Sequence, residues 1–192
     1  MEATQILSGV GYLYIAEVGT TFPALSAEPG TPWTPLGETQ DGVTVTLDQD
    51  IEEVTVDQRT GPVKAIRTGE TAKIETKLAL ATLENMAVVL GRDVITVEPS
   101  AGAIGTKAVS LYRGGSVKEF ALLFRGTSPY GEGFPAQYEV PRCYLGDTLE
   151  IEYTKDGNVV IPVVFNLLED LSATSESQRF GRLYVKYANA TS

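Results

Sequence analysis

The 192-residue chain has no histidine and a single cysteine, Cys143. Without histidine there can be no His-based triad, no His-ligated zinc and no imidazole proton shuttle. One cysteine allows no intrachain disulfide and no paired-thiol metal or redox site. In the run EVPRCYLG it reads as a small buried hydrophobe. No apolar run approaches the roughly 20 residues that cross a bilayer. An acidic residue at position 2, with no basic n-region before an apolar stretch, argues against a secretory signal. The expectation is synthesis in a cytoplasm and no membrane partner.

Positive charge is scarce as well. Fifteen Lys and Arg stand against 25 Asp and Glu, a net charge of −10. A protein that grips a polyanion shows a basic patch. Here Lys64, Arg67, Lys73, Lys77, Arg92, Lys107, Arg113 and Lys118 are scattered, mostly among acids, with no basic-aromatic platform. Specific DNA binding is therefore not expected, although an acidic surface can lie beside DNA and keep it from sticking.

What the chain does have is a period of two, the mark of half-buried strands. Val43, Val45 and Leu47 alternate with threonines. Ile74, Thr76, Leu78 and Leu80 share one face against Lys73, Glu75 and Lys77, and Leu149, Ile151 and Tyr153 alternate with Glu150 and Glu152. The more continuous VVIPVVF at 159–165 predicts a strand covered on both faces. Turn chemistry predicts two hairpins. Lys155-Asp156-Gly157-Asn158 would join 147–154 to 159–168, and Gly114-Gly115 would join 106–113 to 116–126. One short helix is expected over 82–90, with Thr82 as N-cap, a stripe of Leu83, Met86 and Leu90, and Gly91 closing it. Residues 19–37, with four prolines and Trp33, and residues 126–137 read as long loops; 172–178 is small, polar and expected to be mobile. The coarse result is one mainly β domain spanning 1–192, with one helix.

Residues 48–69 stand apart. An acidic arm (Asp48, Asp50, Glu52, Glu53, Asp57) precedes a basic one (Arg59, Lys64, Arg67), with a turn near Gly61-Pro62. Such a projecting hairpin suits contact with a copy of itself or a neighbour; a solvated surface hairpin would show the same pattern.

Chemistry that needs neither His nor Cys finds little support. Glu150 and Glu152 at i, i+2 would lie about 6.6 Å apart along a strand, near a glycosidase spacing, but side by side rather than flanking a sugar. Asp48, Asp50, Glu52 and Glu53 crowd oxygen ligands without the glycine of a calcium loop. Neither phosphate-binding glycine motif occurs. No enzyme activity and no cofactor are expected.

The ordered set G11-Y-L-Y-I-A-E-V-G19-T-T-F-P23, W33-T-P-L36-G37, D41-G42-V43, D57-Q58-x-x-G61-P62-V63, T68-G69-E70 and T82-L83-E84-N85 before G91 resembles the major tail, or tail tube, proteins of siphophages. It departs at Ala16-Glu17, where an Ala-Pro pair is expected. The resemblance implies a β-sandwich or barrel with one short flanking helix and a projecting hairpin. It also implies hexameric rings of identical subunits, stacked into the tube through which genome DNA passes without specific binding. The expected location is the virion tail, assembled in the host cytoplasm, with tape measure, tail terminator and baseplate proteins as further partners. Asp48, Asp50, Glu52, Glu53, Asp57, Arg59, Lys64 and Arg67 become candidate inter-ring or inter-subunit contacts, and Glu150 and Glu152 candidate lumen-facing residues. Another virion ring or decoration protein (a tail terminator or adaptor), or a carbohydrate-binding β-sandwich, is the alternative.

Overall fold

The computed structural model describes residues 11–131, 133–146, 148–153 and 159–189. In chain order the strands are β1 (Tyr12–Ala16), β2 (Thr34–Pro35), β3 (Thr39–Val54) and β4 (Lys64–Leu78); helix α1 (Leu83–Leu90) follows. Then come β5 (Ile95–Val97), β6 (Thr106–Ala108), β7 (Glu119–Thr127), β8 (Pro135–Leu145), β9 (Ile161–Leu167), a 3₁₀ turn (Glu176–Gln178) and β10 (Arg182–Val185). An antiparallel sheet runs in the order β2-β1-β7-β8-β9-β4-β3, with β10 on β8 beside β9; β5 and β6 pair separately. The fold is mainly β, as the alternation predicts.

The sheet curls around one core. Leu13 and Ile15 of β1 and Ile74 and Leu78 of β4, which are far apart in the sheet order, join one cluster with Leu122, Val140, Cys143, Ile161, Val163 and Phe165. The pleat alternates which cluster each residue enters. In β1 and β7, Leu13, Ile15, Phe120 and Leu122 enter this cluster, whereas Ala16, Ala121 and Leu123 point to the opposite face and pack on Trp33. On β8, Val140 and Cys143 both enter the core although three apart. A register shift opposite Phe120–Leu122 places the extra residue at Pro141–Arg142, where a missing N–H costs the ladder nothing. Cys143 is fully buried, its Sγ donating to the Phe120 carbonyl at 3.4 Å, and burial pushes its thiol up to about 12. It is the small hydrophobe that its neighbours suggested.

The helix forms where expected. The Thr82 hydroxyl accepts from the Asn85 N–H at 3.2 Å, and Gly91, at φ 65, ends the helix in the left-handed region. Its buried face is Asn85, Ala87, Val89 and Leu90, with Met86 half-buried. Of the expected stripe only Leu90 is fully buried, with Leu83 and Met86 half-covered; the unexpected members are Ala87, Val89 and Asn85. The Asn85 amide donates to the carbonyls of Leu36 at 3.0 Å and Leu80 at 2.8 Å, tying the helix to the chain entering β3 and leaving β4. Asn85→Ala leaves one buried and one part-buried carbonyl without that donor; a loss of about 2 kcal/mol in urea unfolding is expected.

Several elements differ from expectation. No hairpin forms at Gly114-Gly115: β6 pairs with β5, and β7 pairs with β1 and β8. Residues 109–118 join no strand because buried Phe120, Ala121, Leu122 and Leu123 commit β7 to the main sheet. The predicted strand at 147–154 is also absent over 148–153. The β8–β9 ladder pairs Cys143, Tyr144 and Leu145 with Leu167, Asn166 and Phe165, and then ends at Gly146, which lies against the Tyr144 ring. Leu149 and Ile151 still pack on the core, but Tyr153 is exposed. The turn expected at 155–158 lies outside the described residues. Strand β9 buries only Ile161, Val163 and Phe165, while Pro162 and Val164 are half-covered. The 126–137 loop shrinks to 128–134, since Ala136 and Gln137 pair with Gly126 and Arg125.

Candidate assembly surface

Strands β3 and β4 pair from Thr39↔Leu78 out to Val54↔Lys64, but β9 covers β4 only over Lys73–Leu78. Beyond Lys73 the pair is a two-stranded ribbon. The seven pairs from Asp48↔Thr71 to Val54↔Lys64 reach about 20 Å at the usual rise per residue. A register shift at Asp50/Ile51 leaves Thr68 unpaired, and its hydroxyl donates to the Asp50 carbonyl at 3.4 Å. A bulge of this kind increases local twist. At the tip, residues 55–63 close through the Val63 N–H donating to the Val54 carbonyl at 2.8 Å. The tight turn is at Val56–Arg59, ahead of Gly61-Pro62.

The sequence explains why the ribbon is uncovered on both faces. Odd-numbered Val43 and Val45 pack on the core, and the same stripe continues outward as Leu47 and Ile51, which are 75% and 53% exposed. A core stripe therefore runs off the body with nothing over it. Even-numbered Asp48, Asp50 and Glu52 take the opposite face, while Glu53 shares the Leu47–Ile51 face. Asp57 and Arg59 lie in the tip loop, and Lys64 and Arg67 on β4.

The two charged arms do not neutralise each other. Across the ladder Asp50 faces Gly69, Glu52 faces Ile66, Glu53 faces Ala65, and Lys64 faces Val54. Arg67 donates through Nε to the Gln49 amide oxygen at 3.0 Å and pairs with Glu70 of its own strand at 3.5 Å. Among the described residues, Asp48, Asp50, Glu52, Glu53, Asp57, Arg59 and Lys64 form no ion pair within 4 Å. The hairpin thus brings all eight candidate contact residues onto one projection. Glu150 and Glu152 lie elsewhere, exposed in the irregular 148–153 segment.

Sequence reasoning missed a polar seam on the opposite face. Gln137, fully buried on β8, donates through Nε2 to the Pro23 carbonyl at 2.9 Å and to Glu139 Oε1 at 2.5 Å. It accepts from Arg125 Nε at 3.2 Å and Nη2 at 2.6 Å. Arg125 also donates to the carbonyls of Ala24, at 3.0 Å, and Ala27. Arg182 Nε completes the chain on Glu139 Oε2 at 2.6 Å, reached because Gly181, at φ 105, packs against the β8 backbone. The seam clamps the proline-rich 19–37 segment to the sheet, and Trp33 anchors it, donating through Nε1 to the Thr21 carbonyl at 3.1 Å and packing 5.1 Å from the Phe22 ring. The signal was present in QYE at 137–139, two polar residues on one face of a strand that is otherwise buried.

A family model described as phage tail tube protein matches residues 2–177. Comparison with curated proteins gives no match.

Proposed function

This chain belongs to the phage tail tube protein family, and from that premise we propose that its copies close into hexameric rings, stack through the β3–β4 arm, and conduct genome DNA at ejection. It is a structural, non-enzymatic component of the virion tail that assembles with copies of itself into a tube. The observation that carries the stacking role is the uncovered stripe of Leu47 and Ile51 on a ribbon that leaves the body. An exposed stripe of this kind, beside unpaired strand edges, is a liability in a free subunit, and closure into an assembly removes it.

Contacts that run head to tail generate an open filament when the rotation does not close. Asp48, Asp50, Glu52, Glu53, Asp57, Arg59, Lys64 and Arg67 act as the contact set, and their opposite signs select register between copies. The net charge of −10 keeps the conduit from holding DNA, with Glu150 and Glu152 facing the lumen. The chain acts as one domain, is assembled in the host cytoplasm, and meets tape measure, tail terminator and baseplate proteins at the limits of the tube.

Electron microscopy of purified protein at rising concentration tests this reading. Six-fold rings and then tubes are expected; a strictly monomeric protein under all conditions would overturn it.

A further inference from the structure

The excursion between α1 and β7 is a second place where several apolar side chains close in sequence lack cover. Ile95, Val97, Ile104, Leu111, Tyr112 and Val117 are all more than half exposed, Ile104 at 82%. Monomeric proteins seldom gather so many exposed large apolar residues within one short excursion. Beside Val117 a cavity of about 240 Å³ opens between Val88–Gly91 of the helix end, Arg113–Lys118, Phe120 and Leu145. Among the described residues the small β5–β6 sheet has no third strand. The excursion also has a sign: over residues 92–118, Arg92, Lys107, Arg113 and Lys118 outnumber Asp93 and Glu98, and a basic excess remains after Lys107 pairs with Glu84 at 2.6 Å and Lys118 with Asp93 at 3.7 Å.

The β3 arm and its tip have the converse chemistry. Asp48, Asp50, Glu52, Glu53 and Asp57 outweigh Arg59 over residues 48–63, beside the open Leu47–Ile51 stripe. Each surface thus pairs uncovered apolar groups with a charge excess that the other complements. We propose that the 92–118 excursion is the receptor for the β3–β4 arm of a second copy of this chain. Ile51 and its neighbours cover the exposed apolar residues, and the cavity beside Val117 takes an arm side chain. Burial of the apolar groups supplies the affinity, while the acid-to-base match sets orientation. Because donor and receptor are different surfaces of the same chain, the contact is heterologous and propagates.

This assignment rests on the arm reaching a neighbouring copy, and its test separates the two claims. Buried Cys143 is a poor competitor, so introduced thiols react alone. Tubes are formed from equal mixtures of Ile51→Cys protein with Leu111→Cys or, for comparison, Leu171→Cys protein, and treated with a short bis-maleimide. Proximity raises effective concentration, so about ten-fold more covalent dimer is expected with Leu111→Cys than with Leu171→Cys. Preferential linkage to Leu171→Cys overturns the receptor but leaves the arm's role standing. Tubes in which the arm links to neither partner overturn the receptor too, and call the arm's reach into question. Should Ile51→Cys itself block tube formation, Thr55→Cys in the tip loop replaces it. In parallel, protein carrying both Leu111→Ser and Val117→Ser should keep its circular dichroism spectrum yet raise the concentration needed for tubes. An unchanged threshold would also overturn the receptor.

Discussion

A chain lacking residues 50–66 is expected to fold, stay soluble and form no tubes at any attainable concentration. The cut leaves Gln49 and Glu70 paired and joined by Arg67, Thr68 and Gly69, a three-residue hairpin loop with glycine at its end. None of the core side chains lies within the deleted stretch, and the β4–β9 ladder begins beyond it at Lys73. The body should therefore keep its near-native melting temperature. What is lost is the uncovered Ile51 and the ribbon that carries Asp50, Glu52, Glu53, Asp57, Arg59 and Lys64. Light scattering and microscopy read assembly, and circular dichroism reads folding. Normal tubes from this deletion would remove the arm from the stacking mechanism; an unfolded product would mean that the ribbon supports the body, against the pairing observed.

The second large effect is expected at Gln137. Replacement by leucine keeps the volume but removes one acceptor and two donations at once. The Pro23 carbonyl, one Glu139 oxygen and two Arg125 nitrogens are left without that partner. Leaving buried polar groups unsatisfied costs more than the bond itself, so the loss should be about 3 kcal/mol. For a chain of this size that corresponds to about 10 °C in melting temperature. Arg182→Ala should cost clearly less. Its side chain is 48% exposed; the Glu139 side chain is only 5% exposed, but its Oε1 keeps the donation from Gln137, and the surface pocket that Glu139 and Arg182 line together lets water reach Oε2. Measured on the 50–66 deletion, the two values are free of any contribution from tube formation. An equal loss at both positions would show that the Arg182–Glu139 pair, rather than the amide, holds the seam.

The features legible in the sequence were those that local chemistry fixes. The helix from Thr82 to Gly91 needs only a cap, apolar spacing and a left-handed glycine, all within ten residues. The β3–β4 hairpin was legible because alternation continues along both arms. The missed features depend on what lies across the fold. Gly114-Gly115 has the composition of a hairpin turn, yet β7 finds better cover between β1 and β8 than beside its sequence neighbour. Alternation at 148–152 marked which side chains turn inward, but not that the ladder lapses at Gly146. Gln137 read as the end of the 126–137 loop, and Glu139 carried no expectation of its own. Only the fold shows that a proline-rich segment more than 100 residues away closes over them, supplying carbonyls that no pattern near β8 could announce.

That closure has a further consequence. The clamp grips the 19–37 segment by the main-chain oxygens of Pro23, Ala24 and Ala27, not by their side chains. A carbonyl is the same whichever residue carries it. Exchange of the outward side chains between Ala24 and Gly30 therefore leaves the fastening intact, and this stretch is free to change its chemistry from one descendant to the next while the sheet beneath it stays fixed.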